Sequence, residues 1–167
     1  MPQALYRVMN ATGVTTAAPV KVTTGTTIKT LLQVKSSNLP LSIIAWGISF
    51  DGSAAATPIE CELIDTGTVA ATVTTLAAGD ITQLSDPAGT PAALTLGTAA
   101  TGFTSTAEGT ITAVRILDAQ LVPPTGNWTF QFPLGQEPNV IPANYLRIRV
   151  TAAAAVNAYC WIIFAQG

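Results

Sequence analysis

Three runs of alternating residues close the chain, and they confine it to a β fold. In Tyr145–Thr151 the residues Leu146, Ile148 and Val150 alternate with Tyr145, Arg147 and Arg149, the two-residue period of a strand with one buried and one wet face. Trp128, Phe130 and Phe132 repeat that period, and residues 158–165 form a third run rich in aromatic and β-branched side chains. Between the runs stand Pro133, Gly135, Pro138 and Pro142, which do not sit inside central strands. The chain therefore ends in three antiparallel-type strands joined by loops.

The same period continues upstream. Ile28, Thr30, Leu32 and Val34 point one way, Lys29, Gln33 and Lys35 the other; Ile44, Trp46, Ile48 and Phe50 share one face; Ile59, Cys61 and Leu63 oppose Glu60 and Glu62. Residues 68–76 favour a strand through their Val and Thr, residues 86–109 read as a long Gly/Ala/Thr surface excursion, and residues 110–117 resume as a core strand. Strand starts at Ile28, Leu41, Ile59, Val69, Thr110, Trp128, Leu146 and Ala158 make about eight strands, the number of a double-sheet jelly roll. No helical period is sustained, and an immunoglobulin-like Cys and Trp spacing is absent. The expected organisation is an all-β, single-domain jelly-roll sandwich over residues 14–167, preceded by an N-terminal arm over residues 1–13. That arm holds a short apolar segment with Leu5, Tyr6 and Val8, followed by a breaker from Asn10 to Gly13.

Chemistry is sparse. The chain has no histidine, which removes Ser-His and Cys-His nucleophile pairs and imidazole metal sites. Gly47, Ser49 and Asp51 lack the second glycine of a nucleophile elbow, and Asp80 and Asp86 lack the alternating carboxylates of a calcium loop. Asp65, Thr66 and Gly67 spell the active-site tripeptide of aspartic proteases, which a dimer would need to complete; the ordinary reading is a strand terminator. Cys61 and Cys160 each lie among apolar neighbours as buried free thiols, and Trp46, Trp128 and Trp161 lie among apolar residues as core. No catalytic residue, metal ligand or cofactor site is expected, and the protein is not expected to be an enzyme.

Hydrophobic residues make up 49% of the chain and charged ones 10%. A surface so poor in charge is expected to be covered by other protein. A net charge of −2 with scattered cations argues against nucleic acid, and no apolar run reaches the ~20 residues of a membrane span. Pro2 and Gln3 do not begin a secretion signal, so assembly in a cytoplasm is expected. Arg147 and Arg149 share the outward face of one strand, ordinarily a solvated position, but arginine is enriched at interfaces. With Leu5, Tyr6 and Val8 they are the candidate inter-subunit residues.

The stretches GISFDGSAAATPIECELIDT, FQFPLGQEP and LRIRVTAAAAVNAYCWIIF, within residues 41–164, resemble a family of small jelly-roll structural proteins in the virions of tailed bacteriophages. The resemblance implies a capsid decoration protein on the outer head surface, an oligomer and most simply a trimer, that binds its own copies and the major capsid protein. A fibre, neck or tail module that binds carbohydrate on a host is the alternative.

Overall fold

Alternating apolar residues can be buried only by laying one sheet over another, and the chain does this with every long run described above. The computed structural model describes residues 3–13, 15–53, 56–86 and 88–166. The strands are β1 (Ala4–Met9), β2 (Val22–Thr23), β3 (Lys29–Lys35), β4 (Leu41–Phe50), β5 (Ile59–Asp65), β6 (Thr72–Thr75), β7 (Thr82–Gln83), β8 (Gly102–Ala107), β9 (Arg115–Val122), β10 (Asn127–Gln131), β11 (Asn139–Val140), β12 (Tyr145–Thr151) and β13 (Asn157–Gln166), with one 3-10 turn at Ala78–Asp80. The first sheet runs β10-β4-β13-β1-β7, with β11 on β4 and β2 on β13; the second runs β6-β8-β3-β12-β5-β9. Every strand pair is antiparallel.

The core is the space between the sheets. From the first sheet it takes Tyr6, Val8, Leu41, Ile43, Trp46, Ile48, Cys160, Ile162 and Phe164; from the second, Leu32, Val34, Ile59, Cys61, Leu63, Leu146, Ile148 and Val150. Tyr6 stacks on Phe164 with ring centroids 5.6 Å apart, and Phe130 meets Phe132 edge-on at 5.0 Å. A buried indole N–H needs an acceptor, and here one carboxylate serves two. Asp118 Oδ2 on β9 accepts Trp46 Nε1 and Trp128 Nε1, each at 3.0 Å, while Gln120 Nε2 holds the other oxygen at 2.9 Å. The edge strands β9 and β10, one from each sheet, are thereby tied together.

The all-β sandwich follows the sequence expectation, but thirteen strands are present among the described residues where about eight were expected. Four differences matter. Residues 110–117 are not a core strand: residues 110–114 lie in no strand, and β9, which begins at Arg115, is a largely exposed edge strand of the second sheet. The expected arm is no arm: Ala4–Met9 pairs along its whole length with β13, from Ala4 opposite Gln166 to Met9 opposite Trp161, and β7 lines its other side. Tyr6 and Val8 are core residues at 4% and 0% exposure, so they are not inter-subunit contacts. Met1 and Pro2 lie outside the described residues. The segment looked detached because its partner is at the far end of the sequence.

The excursion over residues 86–109 carries β8, an inner strand between β6 and β3, where Gly102 lets the backbone approach so closely that a Cβ would lie 2.3 Å from the Thr74 carbonyl oxygen. Pro87 in this stretch lies outside the described residues. On β4 a register shift opposite Ile163 and Phe164 sends Ile43 rather than Ile44 into the core.

Deleting residues 3–9 should abolish folding rather than free an arm. It removes two large core side chains, worth roughly 2–5 kcal/mol each, and a full strand pairing, from a total of about 5–15 kcal/mol. Circular dichroism should show no cooperative thermal transition for the truncated protein.

Candidate functional site

The two sheets treat their outer faces differently. On the second sheet the outward side chains of β3 and β12 are polar, and the chain folds its own loops over them. Arg147 is completely buried. Its guanidinium donates to the Val69 carbonyl, to the Glu108 carbonyl at 3.0 Å and to the Glu108 carboxylate at 3.4 Å. Burial pulls the Arg147 pKa below its ordinary value, against the opposing pull of Glu108.

Glu108 also accepts the Thr30 amide at 2.7 Å, the Thr30 hydroxyl at 2.6 Å and the Ser105 hydroxyl. Beside it, Gln33 accepts the Ala71 amide at 2.8 Å and donates to the Ala100 carbonyl at 2.7 Å. Arg149 pairs with Glu62 across β12 and β5 at 2.8 Å. Strand alternation correctly puts both arginines on the outward face, but Arg147 is covered by residues 66–71 and Glu108. It fastens loops and is not an inter-subunit contact; Arg149 is committed to Glu62.

On the outer face of the first sheet the pattern is reversed. The outward residues are Leu5, Arg7 and Met9 of β1, Tyr159, Trp161 and Ile163 of β13, Ala45, Gly47 and Ser49 of β4, and the polar Asn127, Thr129 and Gln131 of β10. Arg7 is the one charged residue in any strand of this sheet. The Trp161 indole lies flat on Gly47, where a Cβ would come within 2.5 Å of the ring; glycine is the residue that lets it settle there. Trp161 is therefore half-buried on the outside and does not belong to the core, whereas Trp46 is fully buried and Trp128 packs against the core edge.

Arg7 reaches over this ring, its guanidinium carbon 5.8 Å from the centroid. Its Nη2 meets Met9 Sδ at 3.3 Å, its buried Nε has no hydrogen-bond partner, and it makes no ion pair among the described residues. Arg7, Leu84, Trp161 and Ile163 line a shallow groove, and a neighbouring hollow runs from Arg7 and Met9 to Pro19 and Asp80. The apolar content of the first segment marks Leu5, Tyr6 and Val8 and passes over Arg7, because the pairing that ranks Arg7 beside Trp161 joins the two ends of the chain.

The Asp-Thr-Gly tripeptide closes a turn. Asp65 is 2% exposed and accepts the Gly67 amide at 2.8 Å, Arg115 Nη2 at 2.8 Å and Asn144 Nδ2 at 3.0 Å. Burial works to raise its pKa, but these three donors and the Arg115 charge outweigh it and hold the carboxyl below its ordinary value. Cys61 and Cys160 are free and buried, which pushes the Cys61 thiol up to about 12 and raises Cys160 as well. Among the described residues no group of three or more His, Cys, Asp or Glu is placed to hold a metal ion, and no helix is long and apolar enough to cross a membrane.

Arg147→Ala should destabilise the protein by roughly 3–5 kcal/mol, the range for breaking a buried ion pair from one side, measured by urea denaturation. Asp65 stabilises the fold above its unfolded pKa of about 3.9, and that contribution is lost as pH falls through the lower folded value. Asp65→Asn should therefore melt below the wild type at pH 7, with the two curves converging below about pH 3. In comparisons with known proteins, no family model matches the chain and no curated protein is similar to it in sequence.

Proposed function

We propose that the protein is a non-enzymatic structural component of a tailed-phage virion, a jelly-roll sandwich that packs the outer face of its first sheet against other protein. The observation that carries this reading is that face: aromatic and aliphatic side chains on β1 and β13 beside the small Ala45 and Gly47 of β4, with Arg7 as the sole charge in any strand of the sheet. An apolar patch with so little charge around it marks a contact region rather than a solvated one. The jelly-roll assignment is supported by strand order, since β1, β13, β4 and β10 in one sheet and β3, β12, β5 and β9 in the other lie as two Greek keys arrange them.

The place on the outer head surface, the major capsid protein as partner and the trimer come from the resemblance of FQFPLGQEP and LRIRVTAAAAVNAYCWIIF to phage virion proteins. In that role each copy lends its binding free energy to the assembled shell. The chemistry required is burial of apolar area, and no bond is made or broken. Electron microscopy of particles labelled on this protein tests the location.

Trp161 favours a second reading. It is an outward aromatic with a cation at its rim, as sugar-binding surfaces use, and a host-glycan module would employ it so. Trp161→Ala separates the two. On the structural reading it leaves the melting temperature nearly unchanged, while sedimentation velocity shows loss of the oligomer and particle binding falls. On the glycan reading the oligomer persists and binding to host surface sugars is lost.

A further inference from the structure

The most exposed large apolar side chain among the described residues is Leu134, at 86%. It occupies the corner of a tight turn in which the Gln136 amide donates to the Pro133 carbonyl at 3.0 Å and Gly135 takes a φ of +79°. Those are the marks of a type II turn, whose second corner requires a positive φ that glycine adopts without strain. A turn so closed holds Leu134 rigidly outward, and nothing in the fold uses it. One residue beyond the turn, Glu137 makes no ion pair among the described residues. The turn projects from the β10 and β11 edge of the first sheet, flanked by the Phe132 amide bonded to the Ile44 carbonyl and the Ile43 amide bonded to the Pro138 carbonyl.

Toward the opposite edge of the same sheet lies the groove of Arg7, Leu84, Trp161 and Ile163, in which Arg7 lacks a carboxylate. The geometry points to a head-to-tail contact in which the residues 133–137 turn of a second copy of this chain enters that groove, Leu134 against Trp161 and Ile163, and Glu137 beside Arg7. An exposed leucine without a pocket meets an apolar pocket without an occupant, and an unpaired anion meets an unpaired cation. Knob and groove lie toward opposite edges of one sheet, so the turn of a chain does not fill its own groove. The contact is heterologous, and repeated from copy to copy it builds a ring where the rotation closes and a filament where it does not. The inference rests on the reading of the outer face as a protein contact, and adds its occupant.

Complementation tests it. Leu134→Asp spoils the knob and Leu84→Asp the groove rim; both positions are exposed, Leu84 at 43%, so folding is retained and is checked by thermal melting. Each variant alone should sediment as a monomer, its self-association weakened by tenfold or more, on the order of a hot-spot loss. An equimolar mixture should form a dimer in native mass spectrometry, because one intact knob faces one intact groove. Glu137→Arg should weaken assembly, and combining it with Arg7→Glu should restore it.

If Leu134→Asp still assembles while Leu84→Asp does not, the face is an interface but this turn is not its occupant, and the inference is overturned. If both variants are monomers and their mixture stays monomeric, the contact is not heterologous, and the inference again falls. A wild-type chain that is monomeric throughout, without binding to any particle, overturns the inference together with the reading of the face.

Discussion

The pairing of β13 with β1 on one side and β4 on the other is the constraint from which the rest of the architecture follows. It joins the last strand to the first, from Ala4 opposite Gln166 to Met9 opposite Trp161, and to the most apolar strand of the chain. Its inward residues Cys160, Ile162 and Phe164 reach the middle of the core, and its outward residues Tyr159, Trp161 and Ile163 form the middle of the exposed face. One strand therefore serves two surfaces, in the alternation that the pleat imposes. Such contacts between sequence-distant segments carry a large loop-closure cost, so the fold forms as a unit with few stable local pieces.

The second sheet solves a different problem. Its outer face is polar at Gln33, Arg147, Arg149 and Thr30, yet Gln33, Arg147 and Thr30 are fully buried. Buried polar groups are tolerable when they are satisfied, and the loops after β5 and β8 supply most of the partners: the Val69 and Glu108 carbonyls, the Ala71 amide and the Glu108 carboxylate, with Arg147 Nε left without one. These loops are ordered by hydrogen bonds to the sheet rather than by apolar packing. Thr, Ala and Gly suffice for them, which accounts for a stretch with no strongly apolar face.

An asymmetry results that bears on function. The chain covers the polar side of β3 and β12 with its own loops, though Ile116 and Leu121 stay exposed on the β9 edge of that sheet, and it leaves the nearly uncharged side of the other sheet to its surroundings. Four of the seven cations are spent within the fold, as Lys21 with Asp51, Arg115 with Asp65, Arg147 with Glu108 and Arg149 with Glu62. Arg7 stands outside these pairs on the open face, with Trp161 beneath it. A surface of this composition gains most by meeting another apolar surface.

By itself the sequence determined the class and most of the strands. The two-residue period in Tyr145–Thr151, residues 41–50 and residues 158–165 survives in the structure because burial between two sheets demands it, and the Asp-Thr-Gly turn was legible from turn chemistry. Which face a residue takes was legible at Arg147 and Arg149, but not at Thr30 and Ile44, where register shifts turn the alternation of β3 and β4 over. What lies against a face was not legible. Period two states that Arg147 points outward, but only the folding back of residues 66–71 and Glu108 decides that outward here means buried. Alternation likewise places Trp161 opposite in sense to Ile162, yet a run apolar on both faces hides which face is core. The tertiary structure alone decided that Ala4–Met9 is an inner strand, that Arg7 sits over Trp161, and that the open face is the first sheet's. The physical reason is that backbone period is a local property, whereas strand partners are chosen by contacts between distant parts of the chain.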